Sequence, residues 1–151
     1  MIHGLVIKQL RVVPDERGWL MEVLRADDGF FTGFGQAYLT AVYPGVVKAW
    51  HMHQHQNDNV VCISGNIRLG LFDARDDSPT RGQTQQVFMG ETNRVLVHIP
   101  PGVFHGFQCL GPETAVVLNL PDKTYNYENP DEIRRPAHDP DIPFSWEIVD
   151  R

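Results

Sequence analysis

The chain has 151 residues, of which 42% are hydrophobic and 21% are charged. This composition excludes a disordered tail and a fibrous protein, and the length predicts a single domain spanning residues 1–151. The formal net charge of -6 argues against a nucleic acid as partner, because neutralising phosphate groups requires a basic surface.

The first residues predict no targeting segment. Met1–Leu10 includes His3 and Lys8 and has no sustained apolar stretch, so it does not resemble a signal peptide. No apolar run approaches the roughly 20 residues needed to cross a bilayer. Cys62 and Cys109 each stand in an apolar segment, which fits reduced thiols. We therefore predict a cytoplasmic protein with no membrane partner.

Short apolar or alternating segments, separated by Gly, Pro, Asp and Asn, predict many strands and no long helix. In chain order the predicted strands are Leu5–Val12, Trp19–Leu24, Gln36–Val42, Val46–His51, Asn59–Ser64, Ile67–Asp73, Gln85–Met89, Val95–Ile99, Phe104–Cys109 and Thr114–Leu120. Ser64-Gly65-Asn66 predicts a tight hairpin, because Gly65 accepts a positive φ. Regular short strands joined by such turns indicate a β-sandwich or barrel.

The tail from Pro121 has a different pattern. Aromatic residues, including Tyr125 and Tyr127, alternate there with prolines and charged residues. We expect this tail to wrap the barrel as extended chain rather than to form a second domain.

Three histidines stand at alternate positions, His51, His53 and His55. Alternate side chains of a strand share a face, so all three could point the same way. A further histidine, His105, follows the predicted turn Pro100-Pro101-Gly102. A cluster of imidazoles is costly to bury without a function, which makes these residues candidates for a site.

The two histidine segments resemble the two sequence motifs of cupins. The matching residues are Gly45, His51, His53, Asp58 and Gly65 in the first motif, and Pro100, Gly102 and His105 in the second. Asp58 stands in place of the usual glutamate. The resemblance implies an all-β fold, the cupin double-stranded β-helix or jelly-roll barrel, with an N-terminal strand extension and an extended C-terminal tail.

In metal-binding cupins these positions hold a divalent ion, because neutral imidazoles suit first-row metals and a carboxylate supplies charge. The metal ligands here would be His51, His53, Asp58 and His105. The other interpretation is that some of these histidines are hydrogen-bonded pocket walls. We expect His55 to be solvated and His98 and His138 to be structural.

Further segments, in order along most of the chain, resemble the dTDP-4-dehydrorhamnose 3,5-epimerase family. They are Arg17-Gly18 with Glu22, the segment Gly45–His51, Ser78-Pro79-Thr80, the segment Pro100–Phe107, and Asp139-Pro140-Asp141-Ile142 with Trp146. The resemblance implies epimerisation of a 4-keto-6-deoxyhexose attached to a nucleoside diphosphate, with no metal and no nicotinamide cofactor.

The resemblance also implies residue roles. His51 corresponds to the catalytic base and His105 to a second pocket histidine, and Lys48 replaces an arginine that faces the substrate. We expect His105 and Lys48 to be catalytic as well, by stabilising the negative charge of the enolate. The positions that match substrate-binding residues are Arg17, Glu22 and Gln36. Because family members pair through an exchanged N-terminal strand, a homodimer is expected, with Arg17 acting across its interface.

Three departures from the family pattern bear on the mechanism. The acid tyrosine aligns with Leu118, a lysine that helps to hold the enolate aligns near Asp58, and the sequence ends at Arg151, before the segment that supplies an aspartate to the catalytic histidine. Besides water, the groups that could replace the acid are Tyr38, Tyr125 and Tyr127. Tyr127 is our candidate; the other interpretation is that the rings of Tyr125 and Tyr127 pack the tail onto the barrel.

Two other functions fit these departures. His53 stands where the family carries glutamine, and Asp58 replaces a cation that would repel a metal ion, so a metal-dependent cupin enzyme is one alternative. A non-catalytic cupin that binds a carbohydrate or a sugar nucleotide is the other. Trp50 could contribute to substrate binding by stacking or could pack internally, whereas Trp19 is expected to pack.

Overall fold

The computed structural model describes residues 1–149, and strands are its only regular elements. Within this range no helix is present that could span a membrane. The strands are β1 (Val6–Gln9), β2 (Val12–Asp15), β3 (Gly18–Met21), β4 (Tyr38–Val42), β5 (Val47–Met52), β6 (Asp58–Ser64), β7 (Asn66–Asp73), β8 (Thr84–Gly90), β9 (Val95–Ile99), β10 (Val103–Leu110), β11 (Ala115–Asn119) and β12 (Ile133–Arg134). The all-β prediction is confirmed.

Two five-stranded antiparallel sheets form the barrel. The first has the strand order β1-β9-β6-β11-β4, and the second has the order β12-β5-β10-β7-β8. Apolar side chains from both sheets fill the space between them, among them Val60, Leu69, Val97 and Phe107. The predicted hairpin at Gly65 is present, with a φ of 70° at that glycine. The predicted jelly-roll architecture is therefore confirmed.

The N-terminal segment is not the single strand Leu5–Val12 that the sequence predicts. The chain turns at Leu10, whose side chain packs with Val61 while its backbone N–H donates to the carbonyl of Arg94. Beyond this point β2 and β3 form a separate two-stranded hairpin. Alternation of apolar residues indicates a strand, but it does not reveal where a buried leucine ends one strand and starts another.

The hairpin of β2 and β3 presents an apolar surface to solvent. Trp19, which was expected to pack, is 57% exposed, and its ring lies 5.4 Å from the guanidinium carbon of Arg94. Leu20 is 63% exposed, and Val12 and Val13 are exposed as well. Leu20 pairs with Val13, and because successive side chains of a strand alternate, Trp19 points to the opposite face; the hairpin thus exposes apolar side chains on both faces.

The tail covers the outer face of the second sheet, as predicted. Ile142 and Trp146 are buried there against Trp50. The indole N–H groups of Trp50 and Trp146 both donate to the carbonyl of Ala137, at 3.2 and 3.1 Å. The Trp50 ring, whose centroid lies 4.9 Å from that of Trp146, packs against the tail, and Trp50 also borders the cavity between the sheets.

An irregularity between β5 and β10 decides which β5 side chains enter the barrel. Lys48 pairs with Phe107 and His51 pairs with His105, so three steps along β5 match two steps along β10. Regular alternation would place Lys48 and His51 on opposite faces, because they stand three positions apart. The β-bulge brings both side chains to the same face.

Gly106 lies opposite this bulge. A Cβ atom at Gly106 would lie 2.3 Å from the Cβ of Ala49, so we expect Gly106→Ala to push β5 and β10 apart and to lower the free energy of unfolding by about 1–3 kcal/mol. Chemical denaturation measures this difference. Gly29→Ala is the control, because a Cβ there would meet nothing within 4 Å. Equal stability of the two variants would contradict the close approach.

Both cysteines are buried free thiols. Burial raises the pKa of the Cys62 thiol to about 11, so this thiol stays protonated and behaves as a small apolar group. The expectation of reduced cysteines agrees with this arrangement.

Candidate active site

A cavity of about 530 Å³ lies between the two sheets, which is a size suited to a small-molecule ligand. Strands β4, β6 and β11 of the first sheet form one wall, and β5 and β10 of the second sheet form the opposite wall. The polar residues on these walls include Tyr38 and Asn119 on one side and Lys48, His51 and His105 on the other.

Strand alternation explains why polar side chains face the cavity. On β6, Asp58 alternates in step with the core residues Val60 and Cys62, so all three side chains point to the same face of the sheet. On β10, His105 shares a face with Phe107 in the same way. Each strand therefore carries apolar side chains into the core and one polar side chain at the point where the core ends.

The Asp58 carboxylate is 1% exposed, and a buried carboxylate is stable only when its oxygen atoms are paired. Its Oδ1 accepts hydrogen bonds from the side-chain amides of Gln56, at 2.9 Å, and Asn119, at 2.8 Å. Its Oδ2 lies 3.3 Å from Nε2 of His105 and 3.6 Å from Nε2 of His53. Burial raises the pKa of Asp58, but His105, His53 and the hydrogen bond from Asn119 together lower it to about 2, so the carboxylate stays charged.

His105 and His53 are held with their Nε2 atoms toward Asp58. The Nδ1 of His105 donates to the carbonyl of Val103 at 3.1 Å, and the Nδ1 of His53 contacts the carbonyl of Asp131. The Nε2 of His105 is buried and has no hydrogen-bond partner within residues 1–149. His105 also borders the cavity.

His51 is the histidine of this cluster that is least enclosed. It is partly buried, whereas His53 is 7% and His105 is 2% exposed. Its ring centroid lies 4.0 Å from that of His105. Burial, followed by the positive charge of His105, holds the pKa of His51 well below its usual value. His51 is thus neutral at neutral pH and able to accept a proton.

The four predicted metal ligands do meet at one place. They are His51, His53, Asp58 and His105. Across residues 1–149, however, no group of three or more histidine, cysteine or carboxylate side chains has an arrangement that could hold a metal ion. The metal interpretation stays a prediction.

The tail contributes residues to the cavity that the sequence did not point to. Strand β12 pairs with β5 and brings Glu132 and Arg134, which form an ion pair at 2.9 Å, to the cavity wall. Lys48 also lines the cavity, and its Nζ donates to the carbonyl of Ala41 at 2.8 Å. A two-residue strand has no periodic pattern, so only the tertiary structure identifies the tail residues.

The turn after β5 depends on Asp131. Its carboxylate oxygen atoms accept hydrogen bonds from the backbone N–H groups of Gln54 and His55, each at 2.9 Å.

The other histidines lie outside the cluster. The His55 side chain is exposed, as expected. His98 is buried, as expected of a structural residue, whereas His138 is exposed and does not fit that expectation.

The candidate acid Tyr127 lies outside the cavity lining. It is 88% exposed, and its ring packs edge-on against Tyr125 at a centroid distance of 4.9 Å. Tyr127 thus contacts another residue of the tail, and a ring this exposed does not pack the tail onto the barrel either. Tyr38 does line the cavity, and its hydroxyl oxygen accepts a hydrogen bond from Nδ2 of Asn119 at 2.8 Å.

Leu118, with which the family's tyrosine aligns, faces away from the cavity. Its side chain packs on the outer side of the first sheet with Leu10 and Val61. Its neighbours Val117 and Asn119 face the cavity instead. On this strand a phenol at position 118 would therefore not reach a ligand.

The remaining predicted substrate-binding residues also lie away from the cavity lining. Arg17 stands at the tip of the β2–β3 hairpin, where it pairs with Asp15, and Glu22 pairs with Arg25. Gln36 accepts the backbone N–H of Tyr125 through its Oε1, at 3.2 Å. Within a single chain these three residues are not brought together with His51.

The low pKa of His51 can be measured without any ligand. We expect NMR titration to place the pKa of His51 below 6.5, so that it gains its proton only as the pH falls through that lowered value. Replacing His105 by Asn removes a positive neighbour, so the pKa of His51 should rise toward 6.5 in His105→Asn. His55→Asn, an exposed change, is the control. An unchanged His51 pKa in His105→Asn would mean that His105 does not act on it.

The family model described as dTDP-4-dehydrorhamnose 3,5-epimerase matches residues 1–151. The chain is 42% identical over 147 residues to a protein of Haloferax volcanii named "Probable low-salt glycan biosynthesis epimerase Agl13", which covers 96% of this chain and 94% of that protein. It is 40% identical over 146 residues to the spore coat polysaccharide biosynthesis protein SpsL of Bacillus subtilis, covering 97% of both.

A solved structure shares the fold over nearly the whole length. It is the crystal structure of a dTDP sugar isomerase from Desulfovibrio desulfuricans, with a TM-score of 0.91 and 36% sequence identity. The match covers 99% of this chain and 94% of that one.

Proposed function

We propose that this chain, which belongs to the dTDP-4-dehydrorhamnose 3,5-epimerase family, epimerises a nucleoside-diphosphate 4-keto-6-deoxyhexose, with dTDP as the nucleotide. The observation that carries the proposal is His51, an imidazole of lowered pKa on the wall of a cavity that also presents Lys48. A neutral imidazole beside a cation is the pair of groups that proton abstraction next to a ketone requires.

The proposed reaction starts with His51. The ketone acidifies the neighbouring C–H bond, the His51 imidazole takes that proton, and the electron pair moves onto the ketone oxygen as an enolate. Lys48 lies on the same face of β5 as His51, through the bulge, and its ammonium group would stabilise the enolate. The charge of Asp58 raises the pKa of His51, so it favours the imidazolium that forms.

His105 acts on His51 in this scheme and not on the substrate. Its Nδ1 donates to the carbonyl of Val103, and its Nε2 lies 3.3 Å from Oδ2 of Asp58. It would be a positioning residue, because its ring centroid lies 4.0 Å from that of His51. The role expected from the sequence was a direct one, in which His105 and Lys48 together stabilise the negative charge of the enolate.

Deuterium exchange tests this proposal. In heavy water with a dTDP-4-keto-6-deoxyhexose, the unaltered protein should incorporate deuterium next to the ketone, observed by NMR or mass spectrometry. His51→Asn should lose this exchange by a factor of about 100 or more, because it lacks the base, while still binding dTDP.

The same assay in the presence of a chelator addresses the cofactor. We propose that the reaction needs no metal, so exchange should continue after chelation. Binding of the sugar nucleotide without any exchange would contradict the enzyme and favour a binding protein. Loss of exchange on chelation, with recovery on adding a divalent ion, would favour the metal-dependent alternative.

A homodimer is the second element of the proposal. The β2–β3 hairpin exposes Trp19 and Leu20, and Arg17 at its tip pairs only with Asp15 of the same hairpin within the described residues. A second copy would cover the apolar surface and could bring Arg17 to the diphosphate of its partner's substrate. A guanidinium suits that role, because its donors match phosphate geometry.

Mixed dimers test whether Arg17 acts across the interface. Arg17→Ala and His51→Asn subunits can be co-expressed with different affinity tags, and the mixed dimer purified. Each parent dimer should be nearly inactive, whereas the mixed dimer should regain about half of the unaltered activity, because one of its two sites combines an intact His51 with an intact Arg17. A mixed dimer no more active than its parents would contradict this arrangement.

We place the reaction in the cytoplasm. Two buried free thiols suit a reducing compartment, and nucleotide sugars are the substrates of the family to which the chain belongs.

A further inference from the structure

The cavity holds one tyrosine among the residues that line it, Tyr38. We propose that Tyr38 is the catalytic acid, which returns a proton to the substrate on the face opposite His51. This inference rests on the proposed epimerase function and assigns the second proton-transfer group, which neither Leu118 nor the tail tyrosines supply.

The position of Tyr38 across the cavity is the first argument. Tyr38 lies on β4 of the first sheet, and His51 lies on β5 of the second sheet. Both side chains line the same cavity, so a sugar ring held between the sheets would have one group on each side. Inversion requires this arrangement, because the proton must leave one face of the carbon and return to the other.

The hydrogen bonds of Asn119 provide the second argument, since they fix the direction of the Tyr38 hydroxyl. Oδ1 of Asn119 accepts the backbone N–H of Asn59 at 3.1 Å, so the side-chain NH₂ must point the other way. This NH₂ donates to Oδ1 of Asp58 and to the hydroxyl oxygen of Tyr38, each at 2.8 Å. Because the phenol oxygen accepts this bond, its own hydrogen remains available for a ligand in the cavity.

The local charge keeps Tyr38 in its acid form. Burial, and then the negative charge of Asp58, raises the pKa of the Tyr38 phenol. The hydroxyl therefore stays protonated at neutral pH. The same carboxylate that favours a proton on His51 after abstraction thus also keeps the Tyr38 proton in place until an enolate is present to take it.

The proposed step balances in protons and electrons. The C–H electron pair passes to the enolate as His51 takes the first proton. The enolate then forms a new C–H bond with the Tyr38 proton on the opposite face, as the O–H bond breaks and the ketone reforms. Tyr38 leaves the step as a phenolate and recovers a proton from solvent, and His51 loses its proton to solvent.

The test separates exchange from inversion. In heavy water with a dTDP-4-keto-6-deoxyhexose, Tyr38→Phe should lose formation of the epimer by a factor of about 100 or more, the contribution expected of a general acid. It should still exchange the substrate C–H for deuterium with retention of configuration, because His51 is intact and can return a proton to the face from which it came. His51→Asn should lose both exchange and inversion.

A matched control variant and a binding measurement complete the experiment. Tyr43→Phe is the matched control, because Tyr43 is 68% exposed and does not line the cavity, and it should invert the substrate at the unaltered rate. Binding of dTDP by Tyr38→Phe, measured by calorimetry, shows that this variant is folded.

Three results would overturn the assignment. Epimer formation by Tyr38→Phe at the unaltered rate would exclude Tyr38 as the acid. If Tyr127→Phe lost inversion while Tyr38→Phe stayed active, the catalytic acid would be Tyr127 and not Tyr38. Loss of exchange together with inversion in folded Tyr38→Phe would make Tyr38 a positioning residue. Failure of the unaltered protein to exchange would instead overturn the proposed epimerase itself.

Discussion

A carboxylate that is 1% exposed needs donors or positive charge at both of its oxygen atoms, and Asp58 obtains them from several strands at once. Gln56 and Asn119 serve one oxygen, and His105 and His53 face the other. Because these partners come from both sheets, the carboxylate ties the two walls of the cavity together. The carboxylate also orients Asn119, which donates to the Tyr38 hydroxyl, and it lies beside the His105 ring.

The two walls of the cavity hold groups in different protonation states. On one wall burial and His105 keep His51 neutral, and on the other wall burial and Asp58 keep Tyr38 protonated. A neutral base facing a protonated acid is the resting state that an inversion of configuration needs. In a flat or one-sided site the same groups would exchange a proton without inverting the carbon.

The position of His51, the proposed base, depends on the backbone geometry of β5. The bulge opposite Gly106 rotates Lys48 and His51 onto one face, and β12 of the tail covers the strand that carries them. The tail therefore has two functions. Its apolar residues Ile142 and Trp146 seal the outer face of the second sheet, and Asp131 holds the turn that carries His53.

The sequence by itself determined most of the strand pattern, the hairpin at Gly65 and the extended tail, because alternation and turn residues are local properties. The meeting of His51, His53, Asp58 and His105 followed instead from the resemblance to the two cupin motifs. Only the tertiary structure decided which groups face the substrate. The bulge depends on a contact between β5 and β10. The Tyr38 hydroxyl is held by a hydrogen bond from Asn119, a residue 81 positions away. Such pairings arise from how the sheets stack, and no local pattern encodes them.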